Sequence, residues 1–262
     1  MKKPTAILAL IVFCACLASS QGVRGSIEED LIKENWSSVL DSGNIWVESS
    51  PQNPVPHFVM AAVYYFNGEY DKQAIEFDLA LKNKKNWKKI YGWCEEFNAS
   101  YPGQKMPQML LGFISSLMGN DDESLDHYRN VIAIDAKNIF AYMNLGIVYT
   151  TKKEYDKATE CFLKVIEIKP DYAQSYFRLG NVYFCLKNYN KAIEYYEKAI
   201  ENNPTFAEFY FNLAVSYYYS GNEQLLLANA QKAVKLNPQG SIGFRAKDML
   251  AEIERDWQKQ DK

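Results

Sequence analysis

Pro170, Pro204 and Pro238 stand thirty-four residues apart, and the residues ahead of them keep the same step. Tyr142, Tyr176 and Tyr210 recur at that interval, as do Leu145, Leu179 and Leu213, and then Tyr149, Tyr183 and Tyr217. A fixed period of this length implies a stack of like supersecondary units, in which each unit completes its neighbour's core. Function then falls on a surface of the stack instead of in one catalytic cleft. Within 139–172, Tyr142, Leu145, Ile147, Val148 and Tyr149 have helical spacing, and a second helix is predicted from about Glu154 to Ile168. Thr151-Lys152-Lys153 forms the polar turn between them. Gly146 and Ala158 are small where the two helices must approach. Pro170 cannot continue a helix and biases Lys169 away from helical geometry, so it closes the unit.

The unit 173–206 repeats this with Leu179, Gly180, Tyr183, Ala192, Tyr196, Ala199 and Pro204. The unit 207–240 has Leu213, Ala214, Tyr217, Ala230, Ala233 and Pro238. It carries Leu226 where the other two have alanine, which is expected to open that helix pair slightly. The pattern resembles the tetratricopeptide (TPR) repeat, a helix–turn–helix of thirty-four residues. The family shows an aromatic, Leu-Gly and Tyr in the first helix, then Ala, an aromatic, Ala and a closing Pro. Residues 173–206 match it throughout, with Tyr176 where Trp is commonest. The resemblance implies an all-α, TPR-type α-solenoid of about five helix–turn–helix units with a capping helix at each end.

Stepping back by the same period finds two worn copies. Residues 105–138 keep Leu111, Gly112, Tyr128 and Val131, but Ala136 replaces the proline. Residues 54–87 keep Ala61, Tyr64, Phe77 and Ala80, with 88–104 inserted between the copies as one further helix ending near Tyr101-Pro102-Gly103. An N-terminal capping helix, Ser26 to Leu40, and a linker fill 21–53. A closing helix fills 241–262, with Phe244, Leu250, Ile253 and Trp257 toward the repeats.

Residues 1–20 read as a secretory signal peptide: Lys2 and Lys3, an apolar run from Ala6 to Ala18, and Ala18-Ser19-Ser20 ahead of cleavage at Gln21. A second reading stands beside it, lipidation at Cys16, which follows Ala15 but has Phe13 where lipoproteins prefer Leu. Both place the protein outside the cytoplasm of a bacterium, as a periplasmic chain or a membrane-anchored lipoprotein. Losing Lys2 and Lys3 leaves the chain more acidic than its whole-length net charge of −3, which argues against a nucleic-acid partner. Cys94, Cys161 and Cys185 lack paired spacing, so no disulfide framework is expected, and Cys161 and Cys185 read as buried apolar fillers.

No constellation for catalysis, cofactor or metal emerges. His57 and His127 are far apart and lack acidic ligand spacing. Asp121-Asp122-Glu123 reads as an acidic first helical turn. Lys82, Lys84, Lys85, Lys88 and Lys89 surround Trp87, and read as a solvated turn with cations at a helix C-terminus or as a site for lipid headgroups or an envelope polymer. The expected protein is therefore not an enzyme.

In the resembled family, the second, fifth, ninth, twelfth and thirteenth positions of each first helix face a concave groove. That implies a partner-binding stripe of Phe140, Met143, Ile147, Phe177, Asn181, Phe184, Phe211, Val215 and Tyr218, continued upstream by Phe58, Ala62, Tyr65, Met109 and Phe113. Asn181 and Asn212 match the asparagines of a carboxylate clamp, but Phe177 stands where the clamp needs lysine. The implied partner is another protein presenting an apolar peptide or helix. The alternative is a small, lipid-like ligand, with the protein assisting a transporter. If Cys16 is lipidated, a membrane tether joins these.

Overall fold

The computed structural model describes residues 22–67, 69–82 and 84–260, and within them the chain is helical without strands. It divides after Ala136 into two compact units. The first holds α1 (22–32), α2 (Trp36–Ser49), α3 (Pro54–Asn67), α4 (Tyr70–Leu81), α5 (Lys84–Ser100), α6 (Lys105–Leu117) and α7 (Asp121–Ile134). The second holds α8 (Ile139–Thr151), α9 (Tyr155–Ile168), α10 (Ala173–Cys185), α11 (Tyr189–Asn202), α12 (Ala207–Ser220), α13 (Glu223–Leu236) and α14 (Ser241–Gln260). The leader and Cys16 lie outside the described residues.

Each helix pair of the repeat is held at one close contact. Gly146 of α8 lies under the Phe162 ring of α9, and a Cβ there would come within 2.5 Å of the ring. Gly180 lies under Tyr196 in the same way, and Gly112 under Tyr128. The last pair exchanges the two sizes: Ala214 replaces the glycine and Ala230 replaces the ring. Leu226, one turn before Ala230 and buried, returns the volume that the missing ring withdraws. The expected opening at Leu226 does not occur, and α12 and α13 pair as fully as their predecessors.

The turns repeat as well. Gly119, Lys153, Lys187 and Gly221, thirty-four residues apart, all have left-handed backbone, with φ of 81°, 62°, 58° and 77°. A side chain costs about 1–2 kcal/mol in this region and glycine avoids it. Lys153→Gly is therefore expected to stabilise the protein by about 0.5–1 kcal/mol, read as a higher urea midpoint at unchanged slope.

In the first unit, α3 is buried on every side from Pro54 to Val63. Its sequence, PVPHFVMAAV, is apolar all round, as a fully enclosed helix requires. The covers are its repeat partner α4 together with α2 and α5. Gly43 lets α2 approach Met60, whose Cγ lies 3.0 Å from where a Cβ would stand. Trp93 of α5 meets Trp46 edge-on at 6.5 Å and stacks on Phe97 at 5.3 Å. The buried carboxylate of Glu28 accepts from the Trp93 indole N–H at 3.1 Å and from Arg24 at 2.8 Å, which anchors α1. His57 is likewise satisfied, 2.7 Å from Glu76.

Two terminal expectations change. Residues 21–53, read as one capping helix and a linker, contain two helices, because Glu34 takes φ 55° and interrupts the helix. Ser38 Oγ then donates to Asp30 at 2.6 Å, and Lys105 pairs with Glu34 at 2.7 Å. At the other end Phe244 faces solvent, with Lys247 over its ring. The docking side of α14 is Gly243 and Ala246 with Ile242, Met249 and the expected Ile253, and Gly243 lies against the Asn237 carbonyl where a side chain has no room. The Trp257 side chain lies outside the described residues.

Candidate functional site

The stripe expected along the first helices separates into two classes. Met143, Phe177 and Phe211 are buried, Phe177 to 1% exposure. Phe177 stacks on Phe209 at 4.8 Å and tilts against Tyr196 at 5.6 Å, so it fills the core between successive pairs. Phe211 lies beneath the Arg245 guanidinium of α14, 4.5 Å from the ring centre. Phe140, Ile147, Phe184 and Val215 are half-buried, and Tyr218 is 57% exposed. These five retain surface that a partner can reach. In the first unit Phe58, Ala62 and Met109 are buried, while Tyr65 and Phe113 are half-buried and stack on each other at 6.3 Å.

Asn181 is engaged from two sides. The Tyr196 hydroxyl donates to its Oδ1 at 2.7 Å, and Asn212 Nδ2 donates to the same oxygen at 3.1 Å. The two asparagines that match a carboxylate clamp thus hold each other, and the buried Phe177 replaces the cation. Burial pushes the Tyr196 phenol well above its ordinary range. Burial, with the Glu197 carboxylate as acceptor, pushes Tyr217 up to about 12. Both remain protonated donors at neutral pH.

Spacing on a single helix did not reveal the aromatic group at the ends of α10 and α12. Tyr189 and Tyr219 stack at 4.9 Å with ring planes 14° apart. Phe184 stands edge-on to both, at 5.5 and 5.7 Å, and Tyr218 is edge-on to Tyr219 at 5.4 Å. Tyr219 is 55% exposed. Beside these rings opens a cleft of about 470 Å³ lined by Leu186, Lys187, Asn188, Tyr189, Asn190 and Ser220. The signal available in the sequence was Tyr217-Tyr218-Tyr219, a run longer than the repeat requires.

Cys185, expected as a buried filler, is the exposed last residue of α10. Cys94 fits the filler role, and burial raises its thiol well above the usual value. Asp121 and its neighbours do form the first turn of α7. Among the described residues no group of three or more His, Cys, Asp or Glu is placed to hold a metal. No described helix is long and apolar enough to cross a membrane.

A tetratricopeptide repeat model matches residues 139–172 and 173–206, and a second matches 195–228. The chain is similar in fold to a thermophilic TPR protein of Thermus thermophilus (19% identity, TM-score 0.56, covering 76% of this chain and 98% of that one). It is similar also to MamA 41-end from Desulfovibrio magneticus RS-1 (16% identity, TM-score 0.54, 69% and 97%). A further MamA crystal structure aligns at 22% identity and TM-score 0.53, covering 60% of this chain and 91% of that one. No curated protein matches by sequence. Residues 139–228, on α8 to α13, thus carry tetratricopeptide repeats, and the described residues have an all-α, TPR-type solenoid fold.

Proposed function

We propose that this chain is a non-catalytic scaffold of the bacterial cell envelope, and that its second unit takes an apolar or amphipathic segment of a partner protein along the first-helix face. Proteins of this repeat family bind other proteins, which supports the general role. The observation that carries the finer reading is the aromatic edge of exposed Tyr218 and Tyr219 with half-buried Phe184, continuous in repeat register with half-buried Phe140, Ile147 and Val215. Aromatic side chains give large contact area at low entropic cost, as recognition of apolar peptide anchors requires. Lys187, Asn188, Asn190 and Ser220 make the neighbouring cleft polar, which favours a protein segment over an enclosed lipid-like ligand.

The test is in-cell photocrosslinking from position 218, with the exposed Leu163 of α9 as the comparison site. One defined partner is expected from 218 and none from 163. Tyr218→Ser with Tyr219→Ser should reduce its recovery at least tenfold while leaving the circular dichroism melt unchanged. Equal crosslinking from both positions overturns the assignment. Export is tested separately by the mass of the mature N-terminus, which begins at residue 21 after signal cleavage or carries lipid at Cys16.

A further inference from the structure

The lysines around Trp87 divide between two helix ends, and only Lys82 takes the C-terminal place expected. Lys82 caps the C-terminus of α4, but Lys85, Lys88 and Lys89 stand exposed in the first two turns of α5. That end of a helix carries the positive pole of the macrodipole, and the first turn of α5 has no acidic residue to offset it. Cations at this end repel the dipole instead of complementing it. Trp87 is absorbed by the fold: its indole N–H donates to the Leu81 carbonyl at 3.1 Å, while Asn86 donates to Ala80 at 3.0 Å. Among the described residues no carboxylate forms an ion pair with Lys82, Lys88 or Lys89.

An independent feature adjoins this corner. Ile75 of α4 is 62% exposed, more than any other large apolar side chain described, and Leu79, one turn on, is 44% exposed. Lys82 follows at the next turn of the same face, and Lys72 precedes them, paired with Glu69 at 2.6 Å. Asp78 is the exposed acid between them. Two apolar side chains at the surface followed by uncompensated lysines match an interface whose surface is anionic and whose interior is apolar.

We propose that the outer face of α4 and the start of α5 dock peripherally on an anionic lipid bilayer. Ile75 and Leu79 enter the headgroup boundary, and Lys82, Lys88 and Lys89 lie against lipid phosphates. A soluble polyanion satisfies the lysines but gives Ile75 and Leu79 no apolar phase, so the bilayer is the partner that uses both features.

The test is sedimentation of the full chain with phosphatidylcholine vesicles, neutral or containing about one third phosphatidylglycerol. Binding to the anionic vesicles, and at least tenfold weaker binding to the neutral ones, is expected. The triple change Lys82→Glu, Lys88→Glu and Lys89→Glu should weaken anionic-vesicle binding at least tenfold, and Ile75→Ser with Leu79→Ser severalfold. These positions are exposed, so the melts should match wild type. If the triple variant unfolds, Lys88→Gln alone should still flatten the salt dependence of vesicle binding. Equal binding to neutral and anionic vesicles overturns the proposal, as does a lysine variant that binds like wild type. Polyphosphate competition indifferent to Ile75 and Leu79, with no loss of vesicle binding in their serine variants, also overturns it and assigns the corner to a soluble polyanion.

Discussion

Gly180→Ala should destabilise the protein by about 1–3 kcal/mol, although the change adds only one methyl to a helix that would otherwise gain from it. The Cβ would enter the Tyr196 ring, which is 1% exposed and held by its hydroxyl on Asn181. Neither the ring nor the helix has room to yield in so densely packed an interior. Tyr196→Ala alone should cost about 3–5 kcal/mol, the range for removing a buried aromatic. The pair should not add. Once the ring is gone, the methyl at position 180 meets no obstacle, and a favourable coupling of about 1–2 kcal/mol is expected. The protein already contains the double exchange at Ala214 and Ala230, where Leu226 restores the volume. Guanidinium unfolding of the four members of the cycle measures this directly. Strict additivity would falsify the steric account.

Phe177→Asp should be more damaging still, at about 4 kcal/mol or more, with loss of the cooperative unfolding transition of the second unit. The substitution removes a ring packed between Phe209 and Tyr196 and puts a carboxylate among buried apolar neighbours, with Arg178, whose guanidinium lies 5.9 Å from the ring centre, as the adjacent cation. Tyr218→Asp, at an exposed residue of the same expected stripe, should change stability by less than about 0.5 kcal/mol. Thermal melts of the two variants therefore separate core from surface along one predicted face. A Phe177→Asp protein that melts like wild type would return this side chain to the partner-binding surface. The contrast also governs how binding data are read: lost recovery with Phe177→Asp reports unfolding, whereas lost recovery with Tyr218→Ser and Tyr219→Ser reports recognition.

Much of the architecture is legible in residue spacing alone. The thirty-four-residue step marks each helix pair of the second unit, because a side chain's direction about its own helix follows from spacing alone. Gly146 and Gly180 announced close approach for the same reason. The αL turns at Lys153 and Lys187 were not legible, since lysine gives no sign of a left-handed residue. The break at Glu34 was hidden likewise, and an apolar series through Ile27, Leu31, Trp36 and Leu40 read as one helix across it.

The sequence by itself determined the period, the pairing of helices and the register that aligns Met143, Phe177 and Phe211. It also determined that the stripe is apolar and that no clamp cation stands at Phe177. Only the tertiary structure decided what that stripe exposes. Exposure depends on what the next element places over a side chain: Phe209 and Tyr196 over Phe177, Arg245 over Phe211, α2 and α5 over α3. Tyr218 and Tyr219 are left uncovered at the end of their helix, where they join Phe184 and Tyr189. The lysines around Trp87 obey the same logic. Their charge is written in the chain, but whether a helix begins or ends beneath them sets the sign of their interaction with its dipole, and here α5 begins.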